Sequence, residues 1–189
     1  MTTTSIDICA QSLIKIGANT ISSFEDGSAE ARVAAALYDP TKDGLLSSHP
    51  WTFATKFADL AQTTDEPLAD YDYVSQLPSD VLRIISAGYS TTSQGLEYKI
   101  IGDKLYANAE DVKMKYIARV SEEYLPAFFQ NVLRLKLSAE FAPILTENLT
   151  LADFLGKQAD KELKSARLID SQQETTEHIT SYPLTDVRG

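Results

Sequence analysis

Apolar residues recur at Ile6, Cys9, Ala10, Leu13 and Ile14, the spacing of one helix face, and Thr4 with Asp7 supplies a capping-box start. The chain therefore opens with an amphipathic helix that stops at Gly17. A turn around Glu25, Asp26 and Gly27 leads to Ser28 as an N-cap, and the alanine-rich run Ala29 to Leu37 has high helix propensity. Pro40 after Asp39 predicts either a kink or a fresh helix start with Asp39 as its cap. His49 and Pro50 end this second helix.

From Trp51 the period changes. Trp51, Phe53 and Phe57 are expected to share one face of an extended strand and to anchor a β lobe, with Thr52, Lys56 and Ala58 on the other face. Tyr71 to Val74 and Val81 to Ile85 read as extended. Tyr98 to Ile101, Gly102-Asp103 and Lys104 to Ala107 have the composition of a tight hairpin. Val112, Met114, Tyr116, Ala118 and Val120 alternate with mostly basic or polar neighbours, the pattern of a half-buried strand, so an antiparallel sheet or small sandwich is expected.

Pro126 opens a third helix with Phe129, Val132, Leu133, Leu137 and Phe141 on a wide apolar stripe and a bend at Pro143. Asn148 or Thr150 caps a fourth. Its inward residues are expected to be Leu151, Phe154, Leu155, Ala159, Leu163 and Ala166, with Asp153–Lys157 and Asp160–Lys164 as outward i, i+4 pairs and an end near Ser171. Beyond it the chain is polar, then offers Ile179, Tyr182, Pro183, Leu184 and Val187 as apolar anchors. No internal repeat is visible.

The predicted fold class is α+β. A four-helix bundle-like body over residues 1–50 and 121–171 carries an antiparallel β insertion lobe, 51–120, between helices 2 and 3. An extended C-terminal tail over 172–189 completes it. The tail's first half is too polar to fold alone, which suits docking on another surface through the five anchors.

Composition narrows the function classes. The longest apolar run, Val33 to Tyr38, is short, so neither a signal peptide nor a membrane span is expected, and the protein is expected to be made in a cytoplasm. The single cysteine, Cys9, reads as a core residue, and two distant histidines argue against metal chemistry. A formal net charge of -10 disfavours a surface that grips the phosphate backbone, though an acidic wall suits a channel through which DNA slides.

Candidate chemistry is sparse. His49 beside Pro50-Trp51 has the makings of a general base, but no Ser, Cys or metal partner is spaced for it, and a histidine capping helix carbonyls is the expected role. Glu122 and Glu123 imitate the acid pair of a glycoside hydrolase, yet adjacent residues seldom face one substrate, so a solvated acidic turn is expected. Gly88, Gly95 and Gly102 precede no Lys-Ser or Lys-Thr, and nucleotide binding has no support. Trp51, Phe53, Phe57, Tyr71 and Tyr73 are expected to form a core and not a stacking platform for single strands, because the same stretch is acidic apart from Lys56. No catalytic, cofactor or metal residue is assigned.

Leu37-Tyr38-Asp39-Pro40, Leu45-Leu46 and His49-Pro50-Trp51-Thr52-Phe53-Ala54 resemble the podovirus tail tubular protein A, or head-to-tail adaptor, family. Leu77-Pro78-Ser79-Asp80-Val81-Leu82-Arg83 resembles that family's Leu-Pro-x-Asp-x-Leu-Arg segment. Tyr98 to Leu105, Tyr116-Ile117, Val120, Pro126 and Phe128 continue the likeness over nearly the whole chain. The resemblance implies a structural, non-enzymatic subunit of a twelve-membered ring in the virion neck. Such a ring sits under the portal, receives the tail nozzle below and passes double-stranded DNA without binding it specifically; no membrane is involved. Portal and neighbouring subunit are then the expected partners of Ile179, Tyr182, Pro183, Leu184 and Val187. The alternative function is a tail-associated polysaccharide hydrolase, with carboxylates of the β lobe as its acids, and a third is a DNA-binding module, which the charge disfavours.

Overall fold

Helix α1, Ser5–Ile16, starts where Thr4 and Asp7 cap each other, the Asp7 amide donating to Thr4 Oγ1 at 3.1 Å and the Thr4 amide to Asp7 Oδ2 at 2.9 Å. It ends at Gly17, whose φ of 74° is a left-handed conformation that glycine adopts without steric cost. Helix α2, Ala29–Ser47, is capped by Ser28 and runs unbroken through Pro40. Of the two sequence readings at Pro40, a fresh start capped by Asp39 is the one not adopted. The computed structural model describes residues 3–67, 70–89 and 96–173.

Helix α3, Ala127–Leu145, buries Phe129, Val132, Leu133, Leu135, Leu137, Ser138, Phe141 and Ala142. At 100° per residue these positions surround the helix, so α3 is the central rod of the body, packed by α1, α2 and α4. Helix α4, Leu149–Ser171, follows a three-residue turn and is capped by Asn148 Oδ1, which accepts from the Leu151 amide at 2.9 Å. It lies along α3 as an antiparallel hairpin and buries Leu155, Ala159, Ala166 and Asp170. Two side-chain expectations for α4 are corrected. Phe154 is 62% exposed, and Asp160 pairs with Lys136 of α3 at 2.7 Å in place of Lys164. The Asp153–Lys157 pair is present at 2.6 Å.

Between α2 and α3 stand two three-stranded antiparallel sheets. One has the order β1–β6–β3, with β1 Thr55–Asp59, β3 Val81–Gly88 and β6 Lys113–Ala118. The other has the order β2–β5–β4, with β2 Tyr73–Gln76, β4 Tyr98–Ile101 and β5 Lys104–Ala107. β4 and β5 form the tight hairpin around Gly102, with Ile101 opposite Lys104. The sheets enclose a second core of Leu60, Ala87, Leu105, Ala107, Ala109, Val112, Met114, Tyr116 and Ala118. Of the two sequence options, the small sandwich is therefore the one formed.

The first sheet is not bare on its other side. Ile117 is fully buried in the helical core, and Leu82 and Ile85 pack against it, so β6 lies between the two cores. The half-buried strand expected over Val112 to Val120 is corrected at Ile117, where its second face is covered by the body, while Lys113 on that face stays exposed. Trp51, Phe53 and Phe57 also do not share a strand face: Thr52–Ala54 is a turn of 3-10 helix, and the strand begins only at Thr55. The turn directs Trp51 and Phe53 into the helical core and leaves Phe57 58% exposed.

Candidate functional site

Two buried charged side chains, Asp170 and Lys42, lie where the chain crosses between body and lobe. Trp51 is fully buried, with Phe129 against it edge-on at 5.2 Å between centroids and Phe53 and Phe128 beside it at 5.8 and 6.3 Å. Its indole N–H donates to the Leu45 carbonyl at the end of α2, at 3.1 Å. His49 does not act as the expected capping group among these contacts. Its ring packs edge-on against Trp51 at 4.8 Å, and its Nε2 lies 3.8 Å from Asp170.

Asp170, near the end of α4, is 1% exposed. Its two oxygens accept the Thr52 amide at 3.0 and 3.2 Å and the Thr52 hydroxyl at 2.7 Å. A buried carboxylate is tolerated when donors surround it in this way, and the bonds fasten the end of α4 to the first crossing. Burial lowers the His49 pKa against the attraction of Asp170, with the Arg167 and Arg83 charges adding to the fall.

The second crossing, from β6 to α3, is fastened to α2. Lys42, 5% exposed, donates to Glu122 Oε1 at 2.7 Å, and the Tyr38 hydroxyl donates to the same oxygen at 3.0 Å. Lys42 also stands 5.4 Å over the Tyr38 ring. Desolvation raises the Glu122 carboxyl, but bonds from Lys42, backbone and Tyr38 outweigh it and hold the group below its ordinary value. Burial, reinforced by Glu122, pushes the Tyr38 hydroxyl upward. Close by, the Arg119 guanidinium holds Asp43, its Nε donating at 3.1 Å. Glu122 thus turns inward while Glu123 stays exposed, so they form neither an acid pair nor the solvated turn expected of both.

Sequence reasoning missed Asp170, Lys42 and Glu122 as partners, although a signal existed. Asp170 continues the inward stripe Leu155, Ala159, Ala166, and Lys42 continues Ala31, Ala34, Tyr38 toward Leu45. A charge on an apolar stripe calls for a buried partner.

A cleft of about 640 Å³ lies in the lobe and is lined by Leu77, Pro78, Val81 to Ile84, Tyr98, Ile100 and Asp103 among others. Asp103 is the one carboxylate on its walls among the described residues, and Gln76 Nε2 donates to it at 3.1 Å. Of the aromatic set considered for stacking, Trp51 and Phe53 belong to the helical core, while Tyr71 lies by Tyr106 at 6.5 Å between centroids. Among the described residues no group of three or more His, Cys, Asp or Glu is placed to hold a metal ion, and no helix is long and apolar enough to cross a membrane. Cys9 is buried, and burial, followed by the Asp39 charge, raises its thiol to about 12, so it is an inert core group.

Large apolar side chains stand exposed on separate parts of the surface. Ile14 lies on α1, Phe154 and Leu168 on α4, and Phe57, Ile100 and Ile101 on the lobe. The expected docking residues Ile179, Tyr182, Pro183, Leu184 and Val187 lie outside the described residues. Compared with known proteins, the chain matches no family model and no curated protein.

Proposed function

We propose that the chain is a structural head-to-tail adaptor of a short-tailed phage, similar to podovirus tail tubular protein A. In this reading it forms a twelve-subunit ring in the virion neck, between portal and tail nozzle, around a channel for DNA. It is made in the host cytoplasm and does no chemistry. The observation that carries the reading is a body and lobe pinned together at both crossings, with isolated large apolar side chains exposed on each. A ring closed by rotation needs unlike side faces that meet their complements on the next copy, and it needs a subunit that does not flex between them. Exposed aromatic and aliphatic anchors such as Phe154 on α4 and Phe57 on the lobe suit such faces better than they suit a catalytic pocket.

The segments that carry the family resemblance support the same reading. His49-Pro50-Trp51-Thr52 is the first crossing, and Leu77 to Arg83 leads into β3 along the lobe cleft. The polysaccharide hydrolase gains no support from the cleft, since glycoside hydrolysis ordinarily takes two carboxylates facing one bond and only Asp103 lines this wall among the described residues. Net charge of -10 speaks against a DNA-gripping module.

The test is size-exclusion chromatography with light scattering, on the protein alone and with its cognate portal. A portal-dependent assembly with the mass of a closed ring is expected. A chain that stays monomeric with portal present, and that cleaves capsular polysaccharide, removes the adaptor in favour of the hydrolase.

A further inference from the structure

We propose that the outward face of α4 docks on the α1 side of a second copy of this chain, with Phe154 against Ile14 and the α4 lysines against the acids at the α1–α2 turn. These are the two unlike side faces of the ring described above, and their assignment rests on that reading. α1 and α4 stand on opposite sides of α3. Arg134 of α3 donates to Gln11 of α1, and Lys136, two residues on, donates to Asp160 of α4. Two residues turn a helix by about 200°, so opposite flanks of one rod hold the two neighbours. Rotation from one copy to the next can therefore set α4 against α1.

The two faces carry complementary charge. Phe154, Lys157, Lys161, Lys164 and Leu168 follow steps of three and four residues along α4, and all are exposed. The stripe is apolar at both ends and cationic between. Asp153 binds Lys157 and Asp160 is drawn to Lys136, so among the described residues Lys161 and Lys164 have no carboxylate partner. On the far side Ile14, 61% exposed, shares the outward stripe of α1 with Asp7 and Gln11. Residues 4–32 set the acids Asp7, Glu25, Asp26 and Glu30 against the cations Lys15 and Arg32. Asp7, Asp26 and Glu30 accept hydrogen bonds from the neutral groups of Thr4, Ser28 and Asn19, which leave their charge uncompensated.

The lysines also argue against a two-fold contact. Pairing α4 with α4 of a second copy would set Lys157, Lys161 and Lys164 against the same three residues, and like charges across a contact oppose it. The stripe needs an unlike face, and unlike faces propagate from copy to copy until rotation closes them.

The experiment is thiol cross-linking of the full chain assembled with its cognate portal. Ile14→Cys, Phe154→Cys and the double variant are treated with a short bis-maleimide and separated on denaturing gels, while light scattering records assembly. Cys9 is buried and does not compete. The double variant is expected to give a ladder of covalent multimers, at least about tenfold more than either single variant gives as dimer. Lys161→Glu with Lys164→Glu, both at exposed sites, should weaken assembly about tenfold or more, and adding Glu25→Lys with Glu30→Lys should restore it. Rings that form without a ladder overturn the proposal and leave the ring reading standing. So does assembly of the Lys161→Glu, Lys164→Glu variant at wild-type strength, or a strong dimer from either single cysteine, which marks a two-fold contact. Wild type that never assembles on portal overturns the ring reading itself, and this assignment with it.

Discussion

Replacing Trp51 by alanine separates the observed role of the 51–57 segment from the one its alternation implies. Trp51 is fully enclosed by Phe53, Phe128, Phe129 and His49, all on or beside the helical core. Truncating a buried Trp or Phe to Ala typically costs about 3–5 kcal/mol, because lost transfer energy is joined by a cavity that close-packed neighbours fill only partly. The lost indole donor adds little, since the Ser48 amide and hydroxyl still donate to the Leu45 carbonyl, at 3.2 and 2.8 Å. The edge-on contact with Phe129 adds roughly 0.5–1.5 kcal/mol, which places the total in the upper half of that range. For a chain of this size the melting midpoint should fall by on the order of 10 °C or more. Phe57→Ala, at a site largely exposed in the described structure, should cost no more than about 1 kcal/mol. Calorimetry and urea unfolding of both variants check this. Trp51→Ala within about 1 kcal/mol of wild type, or Phe57→Ala as costly as Trp51→Ala, would refute the placement of Trp51 in the helical core.

Three further outcomes are expected. His49 has a pKa held below its ordinary 6.5, so the unfolded chain binds its proton more readily than the native one. Its contribution is intact above about 6.5 and declines as pH falls through the lowered native value; in melts between pH 7 and 5, His49→Gln should flatten part of that decline. Glu122→Gln leaves the Lys42 ammonium, 5% exposed, without its counterion and should destabilise by roughly 3 kcal/mol in chemical denaturation. The double variant Glu122→Gln with Lys42→Met should recover a substantial part, and failure to recover would show that the pair is not coupled. Finally, a net charge of -10 predicts no salt-dependent retention of duplex DNA in filter binding at ordinary ionic strength.

The local elements were legible because their signals are local. Thr4 with Asp7, Ser28, Asn148 and the Gly102 hairpin act within a few residues of themselves, and each appears where its spacing places it. The five alternating residues Val112 to Val120 are all buried: Met114, Tyr116 and Ala118 because that face of β6 covers the lobe core, which Val112 also joins, and Val120 in the helical core. What the pattern did not carry was which core a segment joins. Trp51, Phe53 and Phe57 keep the same parity in sequence, but one turn of 3-10 helix at Thr52–Ala54 changes the period and parts Phe57 from the other two. The polar links of the candidate site join residues far apart in sequence, Lys42 to Glu122 and Thr52 to Asp170, and such partners follow from tertiary packing alone. Asp160 makes the same point: two lysines were in reach, and the closeness of α3 to α4 gave it to Lys136.

The central claim is that this chain closes into a ring on a portal. Electron cryo-microscopy of the purified protein mixed with portal tests it most directly, by counting subunits and showing the axis. The account predicts a twelvefold ring seated on one end of the portal, with an open axial channel and with α1, α4 and lobe residues such as Ile14, Phe154 and Phe57 covered at contacts between copies or with the portal. Portal particles that remain bare at saturating protein, or that carry the chain as isolated monomers without rotational order, would contradict it.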